Sequence, residues 1–248
     1  MRFSILYFRA FRFVQQFGKN FILFAVLALS AGCAQSNSYL FNDKIPLPPY
    51  SARVLLMQPD VQLSEVKAGG LQEPRADWTE TAKRNIKKVL KDISNERNDI
   101  LAFYERQQNS RKLLYSHRQL MKLHEAVGES ILLHKYLAGF GLPTKAGKFD
   151  WTLGNKTQYL QKNYDADVAL FIYIRDSYAS AGRKLAMAAG AAFGFYVPGG
   201  LQVGFASLVD LQSGRLIWFN KLFRQTGDLR ALENARVAVK QLLEGIPL

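Results

Sequence analysis

His117, His124 and His134 are the only histidines in the chain, and Cys33 is its only cysteine. Metal binding or nucleophilic chemistry would draw on these side chains first. His117 and His124 stand seven residues apart. On a helix that puts them on one face but two turns from each other, whereas a helical metal pair sits at i and i+4. His124-Glu125 starts like a His-Glu-x-x-His zinc motif, but position 128 is Gly. A lone cysteine can close no internal disulfide. No serine lies in a Gly-x-Ser-x-Gly elbow, and Gly182-Arg183-Lys184 is not a glycine-rich phosphate loop. The carboxylates are scattered, with no acid and base evidently paired. The chain is therefore expected to hold no metal and no cofactor, to have no catalytic residues and not to be an enzyme.

The position of the single cysteine suggests another use for it. Residues 1–20 are basic and aromatic, and Phe21 to Leu29 is an unbroken apolar run. Ser30, Ala31 and Gly32 then give small side chains before Cys33. A charged start, an apolar middle and a small-residue exit are the three parts of a secretory signal. An uncleaved span needs about 20 apolar residues. Lys19 on one side and Asn37, Asn42 and Pro46 on the other leave too few. Leu29-Ser-Ala-Gly-Cys33 resembles the lipobox of bacterial lipoproteins. That resemblance implies cleavage before Cys33, diacylglycerol on its thiol and an acyl chain such as palmitate on its new amino group. Two or more chains anchor stably. Ala34, in place of Asp, resembles lipoproteins released to the outer membrane.

Charge narrows the partners. Four of the 33 basic residues and none of the 20 acidic ones precede Cys33, so the part from Cys33 onward carries a formal +9. Such a domain is drawn to anionic headgroups, wall polymers or an acidic partner. No nucleic-acid recognition motif accompanies the charge, and no nucleic-acid partner is expected.

These residues must be positioned by the elements that follow. Residues 33–51, ending in Pro46, Pro48 and Pro49, read as a lipidated, extended tether. Arg53 to Met57 reads as a buried strand and Val61 to Val66 as a second, edge strand. A helix is expected after Pro74, with Asp77 and Glu80 as a capping box. Its apolar face is Ala82, Ile86, Val89, Leu90 and Ile93; its opposite face carries Lys83, Arg84, Lys87, Lys88 and Lys91, a candidate contact for an anionic surface. Residues 97–138 lack proline and read as one long helix or two in series. A short helix is expected over Trp151 to Tyr164, with Asp150 as its cap. Asp167 to Ile174 is apolar at nearly every position, so both its faces should be covered. Leu201 to Leu211 and Arg215 to Phe223 flank Gln212-Ser213-Gly214, a hairpin signal. Asp228 to Leu243 closes the chain as a helix capped by Asp228. Between strand and hairpin lies an apolar Ala/Gly-rich insert, about residues 179–200. Within it Ala186, Gly190 and Gly194 are four apart, a spacing that lets helices approach closely. Gly190, Phe193, Gly194 and Phe195 are candidate membrane or oligomer contacts, with a buried helix or a loop as the alternative.

The second half, "YDADVALFIYI" followed by "GFASLVDLQSGRLIWFNKLF" and a closing helix, resembles a known pattern. It is similar to the curli-secretion lipoproteins, the penicillin-binding-protein activator lipoproteins and the amino-terminal domain of TolB. Asp167, Asp210, Gly214 and Trp218 carry the likeness. It implies an α/β domain, a small mixed sheet flanked by helices over residues 52–248, after a signal peptide (1–32) and tether (33–51). It also implies a periplasm-facing accessory lipoprotein of an envelope assembly or export system, with an envelope protein partner or a homo-oligomer. The alternatives are a subunit of a curli-type secretion pore and a peptidoglycan-linked binder or enzyme.

Overall fold

A computed structural model describes residues 38–40, 53–97, 101–104, 111–145 and 147–247 of the chain. The expected signal segment, Cys33 and most of the expected tether lie outside them.

The long apolar strand organises the fold. It runs from Val168 to Ala179 (β6), five residues beyond the expected end, and is buried on both faces along most of its length. One edge of β6 takes two strands in line. Val54–Leu56 (β2) pairs parallel with Val168 to Leu170, and Asp60–Val66 (β3) pairs parallel with Tyr173 to Ala179. Pro59, which lacks an amide hydrogen, falls in the break between them. The other edge carries Gln202–Asp210 (β7) and then Leu216–Arg224 (β8), both antiparallel. Ser38–Leu40 (β1) adds to β8, Gln72–Pro74 (β4) to β3, and Leu101–Phe103 (β5) to β2. The result is one mixed sheet in the order β1-β8-β7-β6-β2-β5, with β3 and β4 extending beside β6.

Helices cover both faces. Ala76–Arg97 (α1) and Leu232–Leu242 (α5) bury Ala82, Ile86, Val89, Ala235, Ala238 and Val239 against one face. Arg111–Ile131 (α2), prolonged by a wide turn over Leu132–Tyr136, and Gln158–Tyr164 (α3) cover the other. α2 sits close to the sheet because residue 128 has no side chain: a Cβ on Gly128 would stand 2.1 Å from the Phe205 ring. Buried apolar side chains on both faces contribute roughly 1.5–3 kcal/mol each, so the α/β class follows from the two-sided burial of β6.

Several expectations are corrected. β3 is interior, since it pairs with β6 and β4. Residues 97–138 are not continuous helix: Leu101–Phe103 takes the free edge of β2, where strand pairing satisfies a short apolar run better than helix does. Asp77 lies inside the first turn of α1, paired with Arg75 at 3.0 Å, while Glu80 pairs with Lys83 at 3.0 Å, so neither forms the capping box. Asp150 accepts from Lys145 at 2.7 Å, and the helix expected after it starts with a tight turn at Gly154. Asp228 binds Arg230 in the loop ahead of α5, whose cap residue Ala231 offers no side-chain bond. Ser38–Leu40, inside the expected tether, is a strand. The hairpin is as read: Asp210 accepts from the Ser213 amide at 2.7 Å, and Gly214 takes φ +74° against Gly154.

Candidate functional site

The side chains that could do chemistry are mostly structural. His124 is buried in the core, its Nε2 2.6 Å from Ser207 Oγ and its ring stacked on Phe171. Burial pushes its pKa from 6.5 down to about 3, so it is neutral. A Ser–His contact resembles an activated nucleophile. Here Ser207 is fully buried and His124 Nδ1 has no partner to orient it, so the pair is a core hydrogen bond. His117 stacks on Tyr104 at 4.1 Å, and His134 meets the Phe140 carbonyl at 2.7 Å. Among the described residues no three metal-ligating side chains gather. Trp218 is core, fully buried. Asp167 accepts from the Arg53 amide at 2.9 Å and ties the starts of β2 and β6.

Two polar clusters brace the sheet. Arg175 reaches Asp60 at 2.8 Å and Glu125 at 3.2 Å while lying 3.9 Å over Tyr173, which joins β3, β6 and α2. Asp176, Gln202 and Arg224 sit side by side on β6, β7 and β8, all buried. Gln202 Nε2 donates to Asp176 at 2.7 Å. Desolvation raises the Asp176 carboxyl to about 6. Sequence reasoning missed both clusters, because only strand register brings their members together.

The unusual surface is the Ala/Gly-rich insert. Residues Ala181–Ala192 form a helix (α4) between β6 and β7, and none of its residues is buried. Ser180 caps it, accepting from the Arg183 amide at 3.1 Å. Gly194 turns the chain with φ +77°, and residues 195–200 return along α4. The helix and its return pack through the glycines. A Cβ on Gly190 would meet Val197 at 2.7 Å, and one on Gly199 would meet Met187 at 3.0 Å. Arg183 pins the base, donating to the Pro198 carbonyl at 3.0 Å and the Ala68 carbonyl at 3.1 Å. Leu185, Phe193, Phe195 and Tyr196 are left 73%, 79%, 69% and 80% exposed. The insert is thus a self-packed finger at one end of the sheet with apolar side chains outward. The alternative of a buried helix does not hold. Of the four candidate contacts, Phe193 and Phe195 are exposed, Gly190 packs against the returning chain and Gly194 makes its turn.

The other candidate surface is the basic face of α1. Arg84, Lys87, Lys88 and Lys91 are exposed; Lys83 pairs with Glu80, Lys88 with Asp92 at 3.4 Å, and Arg84 donates to Thr81. A groove of about 810 Å³ runs along the first half of α2, lined by Tyr104, Tyr115, His117, Arg118 and Lys122 among others. No helix of the described residues is long and apolar enough to cross a membrane.

No protein-family model matches the chain, and no curated protein matches it. Among solved structures it is similar to a PelC dodecamer from Paraburkholderia phytofirmans, with TM-score 0.40 and 9% identity, covering 85% of this chain and 95% of that one. A methionine variant of the same dodecamer gives TM-score 0.39 and 12% identity, over 85% of this chain and 96% of that one.

Proposed function

We infer that this chain is a lipid-anchored lipoprotein of the cell envelope, held through Cys33 at the outer membrane with its domain facing the periplasm. It works by contact, as an accessory of an assembly or export system that binds an envelope protein, copies of itself, or both. The observation that carries this reading is the exposed apolar finger, an expensive feature for a domain with neither a membrane surface nor a partner to cover it. The lipobox-like run before Cys33 and the +9 charge of the exported part support it. So does the use of the buried His124, Ser207 and Asp176 side chains in hydrogen bonds within the domain.

A peptidoglycan-linked binder is a second reading, favoured by the tyrosine- and base-lined groove on α2. A curli-type pore has less support. It needs two long alternating hairpin strands per subunit, whereas β6 and β7 are joined by a helix and β7 and β8 are buried on both faces. Labelling with a palmitate analogue tests the anchor: the wild type takes up label and Cys33→Ala does not. Crosslinking in cells tests the contact, with the expected product either an envelope protein or a multiple of the chain's own mass. An unlabelled wild type, or a lone monomer with nothing co-purifying, counts against the reading.

A further inference from the structure

The end of the sheet that carries the finger is built from several pieces of chain. β6 reaches it at Ala179, β3 at Val66, and β8 at Arg224. The β3–β4 turn lies there too, bonded to Arg183 through Ala68 and presenting Leu71, which is 68% exposed. Leu71, Leu185, Phe193, Phe195 and Tyr196 therefore belong to one end of the molecule.

The first described strand enters the sheet from the same end. β1 runs antiparallel to β8, with Ser38 opposite Asn220 and Leu40 opposite Trp218. The amino-terminal end of β1 therefore points toward the Arg224 end. Cys33 precedes Ser38 by five residues, which span at most about 18 Å when extended. From Ser177 to Val209 the chain has no acidic residue, while Arg183 and Lys184 are basic. At 12 residues, α4 is also far short of the about 20 needed for a span.

We propose that the finger and Leu71 seat in the interfacial zone of the membrane that holds Cys33, so that the sheet stands end-on to the lipid. This rests on the reading of Cys33 as the lipid site. Aromatic and aliphatic side chains on an acid-free, short element suit the boundary between headgroups and acyl chains of an anionic leaflet. A second copy of the chain fits the finger less well. The small-residue face that would let another helix approach, at Gly190, is already filled by Val197 and the Phe195 carbonyl.

The test uses the mature lipidated protein in vesicles of phosphatidylethanolamine and phosphatidylglycerol. With Cys33 acylated, a cysteine placed by Tyr196→Cys or Ser213→Cys is the only free thiol for an environment-sensitive dye. The dye at 196 is expected to shift to the blue and to lose emission about twofold with lipids spin-labelled near the headgroup. At 213, on the opposite hairpin, it should do neither. An unquenched dye at 196 on vesicle-bound protein overturns the proposal. So does a blue shift that follows protein concentration and not lipid label, since a second copy then covers the finger. The anchor reading fails separately, if wild-type protein takes up dye at Cys33. Adding the unacylated Tyr196→Cys protein, now dyed at both cysteines, beside dyed wild type to preformed vesicles still decides the finger: extra quenching supports it and none overturns it.

Discussion

Two buried titratable residues pull stability in opposite directions with pH. His124 is neutral in the fold, its pKa lowered to about 3, while an unfolded histidine titrates near 6.5. The unfolded chain therefore binds more protons between those values, and stability falls as pH drops through the window, by up to roughly 5 kcal/mol at its acid end. Asp176 is the reverse. Its carboxyl is raised to about 6, against about 3.9 when unfolded, so the native state takes up the proton first and stability is gained as pH falls from 6. The two slopes offset each other between about pH 6 and pH 4, after which only the loss from His124 continues. Carboxylates that arginines hold low, Asp92 beside Arg236 and Asp228 beside Arg230, add to that loss below about pH 4. Urea unfolding from pH 7 to pH 3 should show a near-flat region and then a steep fall. Asp176→Asn should start the fall near pH 6.5, and His124→Gln, which keeps a hydrogen-bonding group for Ser207, should make it shallower. If both variants follow the wild-type curve, neither residue titrates as its burial implies. None of this was legible in the sequence. The histidine spacing spoke only to metal binding, and burial of His124 depends on Ser207 and Phe171, which lie far along the chain.

At the scale of elements, what the sequence disclosed depended on whether an element is held by its own pattern or by a neighbour. β6 announced itself because two covered faces need an unbroken apolar run, and the β7–β8 hairpin because Asp210 and Gly214 meet the demands of one turn. β5 did not, since Leu101–Phe103 is a strand only because β2 offers an open edge. The caps at Asp77, Asp150 and Asp228 were misread for a related reason: each acid found a nearer cation, Arg75, Lys145 or Arg230. The finger was half legible. Its composition marked it as unusual, yet the spacing of Ala186, Gly190 and Gly194 pointed to another helix when the partner is the returning chain. That difference is testable at Gly190, where a Cβ would already press Val197 and the Phe195 carbonyl. Gly190→Leu should lift residues 193–200 from α4 while the sheet stays folded. Limited proteolysis within 193–201 should quicken about tenfold, equivalent to about 1.4 kcal/mol of local opening, with the global unfolding midpoint unchanged. A uniform loss of stability would mean that the finger is part of the folding core.

For the whole molecule, the proposed seating draws on three attractions: acyl chains at Cys33, apolar side chains on the finger, and the net positive charge of the exported part. They differ in what weakens them. Acyl burial is indifferent to salt, whereas attraction between a basic domain and anionic lipid is screened over a Debye length that shrinks from about 10 Å at 0.1 M to about 3 Å at 1 M. A form exported by an ordinary cleaved signal and starting at Ala34 keeps the finger and the +9 charge but not the lipid. It should bind anionic vesicles at low salt and float free by about 1 M salt, because charge draws it in and the shallow finger alone does not hold it. The lipidated protein should stay bound throughout. Adding Phe195→Glu and Tyr196→Glu to the Ala34 form should weaken binding even at low salt, by about tenfold or more, since two apolar contacts are lost and two charges oppose the surface. Removing charge from α1 with Lys87→Gln and Lys91→Gln separates the remaining possibility. If the sheet stands end-on through the finger, these distant changes lower vesicle binding only modestly, in proportion to net charge. If α1 is the membrane face, they abolish it and the finger changes do little. Flotation of the variants side by side at low salt therefore reads the orientation of the domain directly from which end of the molecule controls binding.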